Sequence, residues 1–252
     1  MNEWLDDFKM ATGFLTRLPV SHPDGAGPAN FARAYRLFPV VGALIGLAMG
    51  VLCLALRQVG VPDLAAAALV LGAGALLTGA LHEDGLADVA DGFGGGRDVE
   101  ARLAIMRDSR IGTYGTTALL VSFATKLSAL AAIPDGYVVQ SLIVAHALAR
   151  GVLPAMAANL PYARQDGLAR TSGQPDATMA AIAGFVALLI ALLSLSWTEA
   201  LWAAVAAAIS GFIMARLALR QVGGQTGDVL GAAEQVAETA ILVLLAAKLA
   251  QA

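Results

Sequence analysis

The chain has 252 residues, 58% of them hydrophobic and only 14% charged, with a formal net charge of −3. A soluble domain carries about a quarter charged residues, so an ordinary soluble fold is excluded. The acidic balance, with no basic tract, also excludes a nucleic-acid partner. A lone cysteine, Cys53 in an apolar run, leaves neither a disulfide framework nor a cysteine metal cluster and reads as a small core residue.

Residues 1–10 are acidic and lack a continuous apolar core, so they read as part of the mature chain rather than a signal peptide. Trp4, Phe8, Ala11, Leu15 and Leu18 recur at helical spacing, with Asp6, Asp7 and Lys9 elsewhere on the wheel. This pattern predicts an amphipathic helix, lying in the membrane interface or packed on a bundle. Seven apolar stretches of about 20 residues, enough to cross a bilayer, follow at 37–56, 61–81, 113–133, 138–158, 178–196, 199–219 and 229–249. The expectation is an all-α polytopic membrane bundle of about seven transmembrane helices forming one catalytic domain over 1–252, with 1–36 as an interfacial segment. The connections at 57–60, 134–137 and 197–198 are tight hairpins. The long connections hold eleven of the sixteen lysines and arginines, which places them in the cytoplasm by the positive-inside rule.

Residues 82–112 read as the catalytic loop. Asp84, Asp88 and Asp91 stand at i, i+4 and i+7, one stripe if the second span continues as a helix. Three carboxylates at a membrane helix end would cost roughly 2.5–3.5 kcal/mol each near mid-depth, so a cation is required. Mg²⁺ fits, since it takes oxygen ligands and shares them with substrate phosphates. His82 and Glu83 sit beside the stripe. Gly92, Gly94, Gly95 and Gly96 predict a turn that a phosphate can approach closely. Arg102, Leu103, Met106, Arg107 and Arg110 suit a short amphipathic helix whose arginines clamp phosphate oxygens.

Near the C-terminus, Gly223-Gly-Gln-Thr-Gly-Asp-Val-Leu-Gly231 repeats this chemistry with Thr226 and Asp228, followed inside the last span by Glu234 and Glu238. Lys126, His146 and Arg150 are further ionisable groups within spans, serving either substrate or the membrane carboxylates. Arg164 and Asp166 lie in an Arg-x-Asp-Gly turn, which is weak by itself because Asp-Gly is also ordinary turn chemistry.

Several of these segments together resemble the cobalamin synthases (adenosylcobinamide-GDP ribazoletransferases). The resemblance rests on Phe14-Leu-Thr-Arg-Leu-Pro19, Phe38-Pro-Val-Val-Gly42, the run 81–96, Arg102-Leu-Ala-Ile-Met-Arg-Asp-Ser-Arg-Ile-Gly-Thr-Tyr-Gly115, Leu160-Pro-Tyr-Ala-Arg-Gln-Asp-Gly-Leu168 and 223–231 with Glu234. It implies a Mg²⁺-dependent enzyme of the bacterial cytoplasmic membrane that joins adenosylcobinamide-GDP to α-ribazole or its 5′-phosphate and releases GMP. It also implies catalytic roles for Glu83, Asp84, Asp88 and Asp91, and for Asp228 and Glu234. On the combined reading Asp84, Asp88 and Asp91 hold the metal, and Glu83 or Asp91 is the general base. Substrate contacts fall to His82, Gly94, Gly95, Arg107, Arg110, Arg164, Asp166, Thr226 and Glu234. The oligomeric state is open.

Two other classes compete. A CDP-alcohol phosphotransferase also uses an Asp-Gly-x-x-Ala start, but here Ala falls one place early in Asp84-Gly-Leu-Ala-Asp88 and no Arg follows. A transporter would account for the buried charges, yet such proteins favour midplane sites between repeated halves, and no repeat is evident.

Overall fold

A computed structural model describes residues 3–21, 27–164 and 173–249. In chain order its helices are α1 (Glu3–Leu15), α2 (Pro28–Ala34), a 3₁₀ turn (Tyr35–Leu37), α3 (Phe38–Gln58), α4 (Asp63–Thr78), α5 (Leu81–Gly95), α6 (Val99–Ile105), α7 (Thr113–Ala132), α8 (Asp135–Asn159), α9 (Ala177–Ser194), α10 (Trp197–Gln221) and α11 (Gly227–Leu249). Among the described residues there is no strand, only an isolated bridge between Tyr162 and Gln225. Six helices are long and apolar enough to cross a membrane, or seven if the bent pair α4–α5 counts as one span.

Burial sorts the spans. In α8 and α11, 78% and 72% of the apolar window is buried, against 17% in α9 and 28% in α7, so α8 and α11 form the centre. Phe185, Leu193, Ile209 and Phe212 point outward from α9 and α10, as expected where lipid is the solvent. The tightest seam joins α3 to α8. Gly42, Gly46 and Gly50 recur every fourth residue, and a Cβ at any of them would strike the α8 backbone at His146, Leu142 or Val139. At one end Arg57 holds two hairpins together, bonding Asp63, Asp135 and the Leu130 and Ile133 carbonyls.

The first helix packs on the bundle through Met10, Ala11 and Leu15, while Trp4 and Leu5 stay half exposed. Asp7, expected on its polar face, is fully buried, 2.9 Å from Arg33 and 2.7 Å from Arg36. Phe14, Phe31, Tyr35 and Phe38 stack beneath it.

The second span departs from expectation. It ends at Thr78 instead of 81, because Gly79 and Ala80 both adopt left-handed backbone, φ 67° and 54°. The chain turns by 92° there, and 81–95, expected as a loop, is helix α5. The Arg17 N–H donates to the Leu77 carbonyl at 2.7 Å and its side chain fills the place of a Gly79 Cβ, so the end of the N-terminal segment is seated on the bend.

Candidate active site

Helix α5 runs from the bend across the N-terminal ends of α7 and α11. Its closeness to α11 rests on Gly85 and Gly231: a Cβ on Gly85 would lie 2.8 Å from the Asp228 carbonyl oxygen and 3.2 Å from Gly231 Cα. The same crossing brings the α5 carboxylates to Asp228 in the first turn of α11.

Asp88 is the centre of this acidic group. Burial, then the charges of Asp84, Asp228 and Asp91, push its carboxyl up to about 7, with Arg164 acting in the opposite sense. Asp91 is different from its neighbours. Its Oδ2 accepts the Gly112 N–H at 2.6 Å and its Oδ1 the Gly115 N–H at 2.8 Å, so it caps the N-terminus of α7. With both oxygens accepting backbone N–H groups and only 9% of the residue exposed, Asp91 serves as a helix cap beside the other carboxylates.

Among the described residues, Arg164 is a cation that bears on Asp88. Its Nη2 lies 3.0 Å from Asp228 Oδ2, while Nη1 is buried with no hydrogen-bond partner. A parallel pair of backbone bonds positions it: the Gln225 N–H donates to Pro161 O and the Ala163 N–H to Gln225 O. The Gln225 amide also reaches the Ala157 and Leu160 carbonyls that end α8. Gln225 is 2% exposed and was not singled out in the sequence, although it lies within the Gly223–Gly231 motif. Thr226 is equally buried: its Oγ1 accepts the Val229 N–H and donates to Asp228 Oδ2, making it the α11 cap rather than a substrate contact.

Other expected contacts fall elsewhere. The Gly92–Gly95 segment is helical, not a phosphate-binding turn; a Cβ on Gly92 would strike Met106, one on Gly94 the Tyr114 ring, and one on Gly95 would touch Ile105. These glycines admit neighbouring side chains. Helix α6 stops at Ile105, so Arg107 and Arg110 lie beyond it. Arg110 pairs with Asp108 at 2.6 Å on the surface and holds that carboxyl down to about 2. Arg107 is exposed. Asp166 lies outside the described residues. Glu83 lines a cavity of about 20 Å³, its Oε2 buried and unbonded.

His82 and Glu234 turn inward, to a cluster that also holds Lys126, His146, Arg150 and Glu238. Among the described residues only His146, Glu234 and Glu238 bring three ligand atoms within 4.8 Å, the spacing of a metal site. Lys126 and Arg150 already neutralise those carboxylates at 3.2 and 2.6 Å. The aspartates at the α5–α11 crossing fit a cation better. They repel one another at Asp88, and a divalent cation taking one or two carboxylates with water and phosphate would relieve that repulsion.

Comparison with known proteins bears on this site. A family model described as cobalamin-5-phosphate synthase matches residues 7–246. The adenosylcobinamide-GDP ribazoletransferase of Bradyrhizobium diazoefficiens is 48% identical, over 96% of this chain and 93% of its own. Proteins of the same name from a Sinorhizobium species and from Rhizobium meliloti are each 42% identical, over 98% of both chains. No solved structure matches. By its near-complete match to that model and to these relatives, the chain belongs to the cobalamin-5-phosphate synthase, or adenosylcobinamide-GDP ribazoletransferase, family.

Proposed function

We propose that this chain performs the transfer for which its relatives are named. The ribazole 3′-hydroxyl attacks the cobinamide-side phosphorus of adenosylcobinamide-GDP, the bond from that phosphorus to the oxygen bridging to GMP breaks, and GMP leaves. The product is a cobalamin, or its 5′-phosphate where the acceptor is ribazole phosphate.

The observation that carries this reading is the crossing of α5 and α11, which sets Asp88 among Asp84, Asp228 and a single arginine. Asp84 and Asp88 would hold Mg²⁺ together with the substrate's pyrophosphate. When bound, Mg²⁺ supplies positive charge to the phosphoryl oxygens and leaving group. The unpartnered Arg164 Nη1 is free to donate to a phosphate oxygen, adding a charge-assisted bond. Asp228 Oδ2 is occupied by Arg164 and Thr226, leaving Oδ1 to accept the proton of the attacking hydroxyl. Asp91 holds the α7 N-terminus against α5 and keeps the carboxylates in register. The positive-inside bias favours a cytoplasmic site, where both nucleotides are soluble.

The test is GMP release by purified protein given adenosylcobinamide-GDP and α-ribazole, with and without Mg²⁺. Metal-dependent GMP release with a new corrinoid product supports the proposal; well-folded protein that releases none overturns it.

A further inference from the structure

The proposed chemistry leaves six buried ionisable side chains unused. His82, Lys126, His146, Arg150, Glu234 and Glu238 are each at most 8% exposed and lie well inside the bundle, where an unpaired charge is poorly tolerated. They form two groups joined by Arg150, whose Nη1 also lies 2.9 Å from His146 Nδ1 and 3.9 Å from Glu238 Oε2. In one, Lys126 Nζ lies 3.2 Å from Glu238 Oε1 and 2.8 Å from Gln235 Oε1, and His146 Nδ1 lies 3.1 Å from Glu238 Oε2. These contacts join α7, α8 and α11. In the other, Arg150 Nη1 lies 2.6 Å from Glu234 Oε1, and His82 Nδ1 lies 3.3 Å from Glu234 Oε2 and 3.5 Å from Arg150 Nη2. This group makes the direct polar contact to α5, through His82.

His82 is the second residue of α5, two positions before Asp84 and six before Asp88. The Gly85–Gly231 contact sets how near α5 lies to α11, and Asp91 ties the C-terminal half of α5 to α7, but neither bears on the roll of its first turn beside the bend. A contact off the helix axis is what stops the roll, and His82 supplies one: its Nδ1 accepts from Arg150 Nη2 at 3.5 Å and lies 3.3 Å from Glu234, a carboxylate itself held by that guanidinium and by the Gln235 amide, 3.0 Å away. We infer that the buried Arg150–Glu234 pair, acting through His82, is a positioning device that fixes the roll of α5 and thereby the direction in which Asp84 and Asp88 present their carboxylates. Glu234, which is 0% exposed, acts without touching substrate. The inference rests on the proposed assignment of Asp84 and Asp88 as the metal-holding pair.

The test is Mn²⁺ binding to the purified full chain, read as loss of the free-ion signal in electron paramagnetic resonance, beside GMP release across a Mg²⁺ titration. His82→Ala leaves the Arg150–Glu234 pair in place and is expected to weaken Mn²⁺ binding about tenfold or more, the usual effect of removing support behind a metal ligand. His82→Gln, whose amide can accept from Arg150 and reach Glu234, recovers part of that loss. Glu234→Gln behaves like His82→Ala where it folds. The paired change Arg57→Met with Asp135→Asn removes an ion pair at the opposite end of the bundle from α5. It lowers thermal stability but leaves Mn²⁺ affinity within about twofold, below the tenfold scale of lost ligand support. Unchanged Mn²⁺ affinity in His82→Ala, or an equal loss in the Arg57/Asp135 control, overturns the inference. Asp88→Asn separates the two levels: if it keeps parental Mn²⁺ affinity, the metal assignment itself fails, whereas its loss beside an unchanged His82→Ala sinks only the positioning role.

Discussion

Asp91 accepts the Gly115 N–H across 24 residues of sequence, so the last carboxylate of the acidic stripe is the cap of the next membrane helix. Asp91→Ala strands the Gly112 and Gly115 donors in a half-buried setting and should cost about 1–3 kcal/mol. A lowered melting temperature together with reduced GMP release is expected. Metal affinity falling as far as in Asp88→Asn, at parental stability, would instead make Asp91 a ligand.

The carboxylates should separate by role. Asp84→Asn and Asp88→Asn are expected to lose Mn²⁺ binding, whereas Asp228→Asn keeps it and loses turnover by about 100-fold, the scale of one transition-state contact. Asp88→Asn should also raise the melting temperature of the metal-free protein, since burial and three like charges disfavour its ionised form. Equal metal affinity across all three variants contradicts the division.

Metal binding should depend on pH with a definite sign. The Asp88 carboxyl is raised to about 7, so below that pH it holds a proton the cation must displace. Affinity for Mn²⁺ should therefore fall by about tenfold per unit below pH 7 and level off above it, since binding releases the proton. In the metal-free protein the same shift favours the folded state at low pH, and that contribution is lost as pH rises through 7. A flat profile between pH 5.5 and 8, or one rising toward acid, is the contrary result; these bounds bracket a shift of about one unit either side of the Asp88 value.

Arg164 uses one nitrogen on Asp228 and leaves the other for substrate. Lysine cannot reproduce that fork. Arg164→Lys should raise the KM for adenosylcobinamide-GDP while leaving that for ribazole near the parental value. A rise confined to ribazole would place Arg164 at the acceptor.

Crowding the crossing should act on chemistry through geometry. Gly85→Ala puts a methyl 2.8 Å from the Asp228 carbonyl, so α5 and α11 must part. Overpacking of this kind costs about 1–3 kcal/mol. Turnover should fall while the protein remains folded, as read by melting and GMP release; full activity at parental stability would mean the crossing does not set the site.

Much of the architecture was legible because hydrophobic length is a long-range signal. The spans at 37–56, 113–133 and 229–249 match α3, α7 and α11 to within a few residues. The acidic stripe was legible as chemistry, but its shape was not. Glycines at 92–96 have the composition of a loop, and only tertiary contacts with Met106, Tyr114 and Arg102 account for them inside or at the end of a helix. Spacing put Asp84, Asp88 and Asp91 together and could not reveal that Asp91 faces the amides of Gly112 and Gly115. The pairing of Arg164 with Asp228 joins residues 64 apart and depends on a two-bond bridge through Gln225, for which no local pattern exists. His146 and Arg150 were visible as one polar stripe; which carboxylates they meet followed only from the packing of α8 on α11.

The two left-handed residues between α4 and α5 separate two coordinates that a straight helix would couple. Before Gly79, each residue gained or lost moves the acidic helix by about 1.5 Å along the span and swings it by about 100° around that axis; after Ala80, the same change slides the carboxylates along α5 and turns them by about 100° about it. A change in α4 thus re-aims the whole acidic helix, and one in α5 re-aims only its carboxylates. A single-residue deletion in α4 and one in α5 are different experiments on the same site.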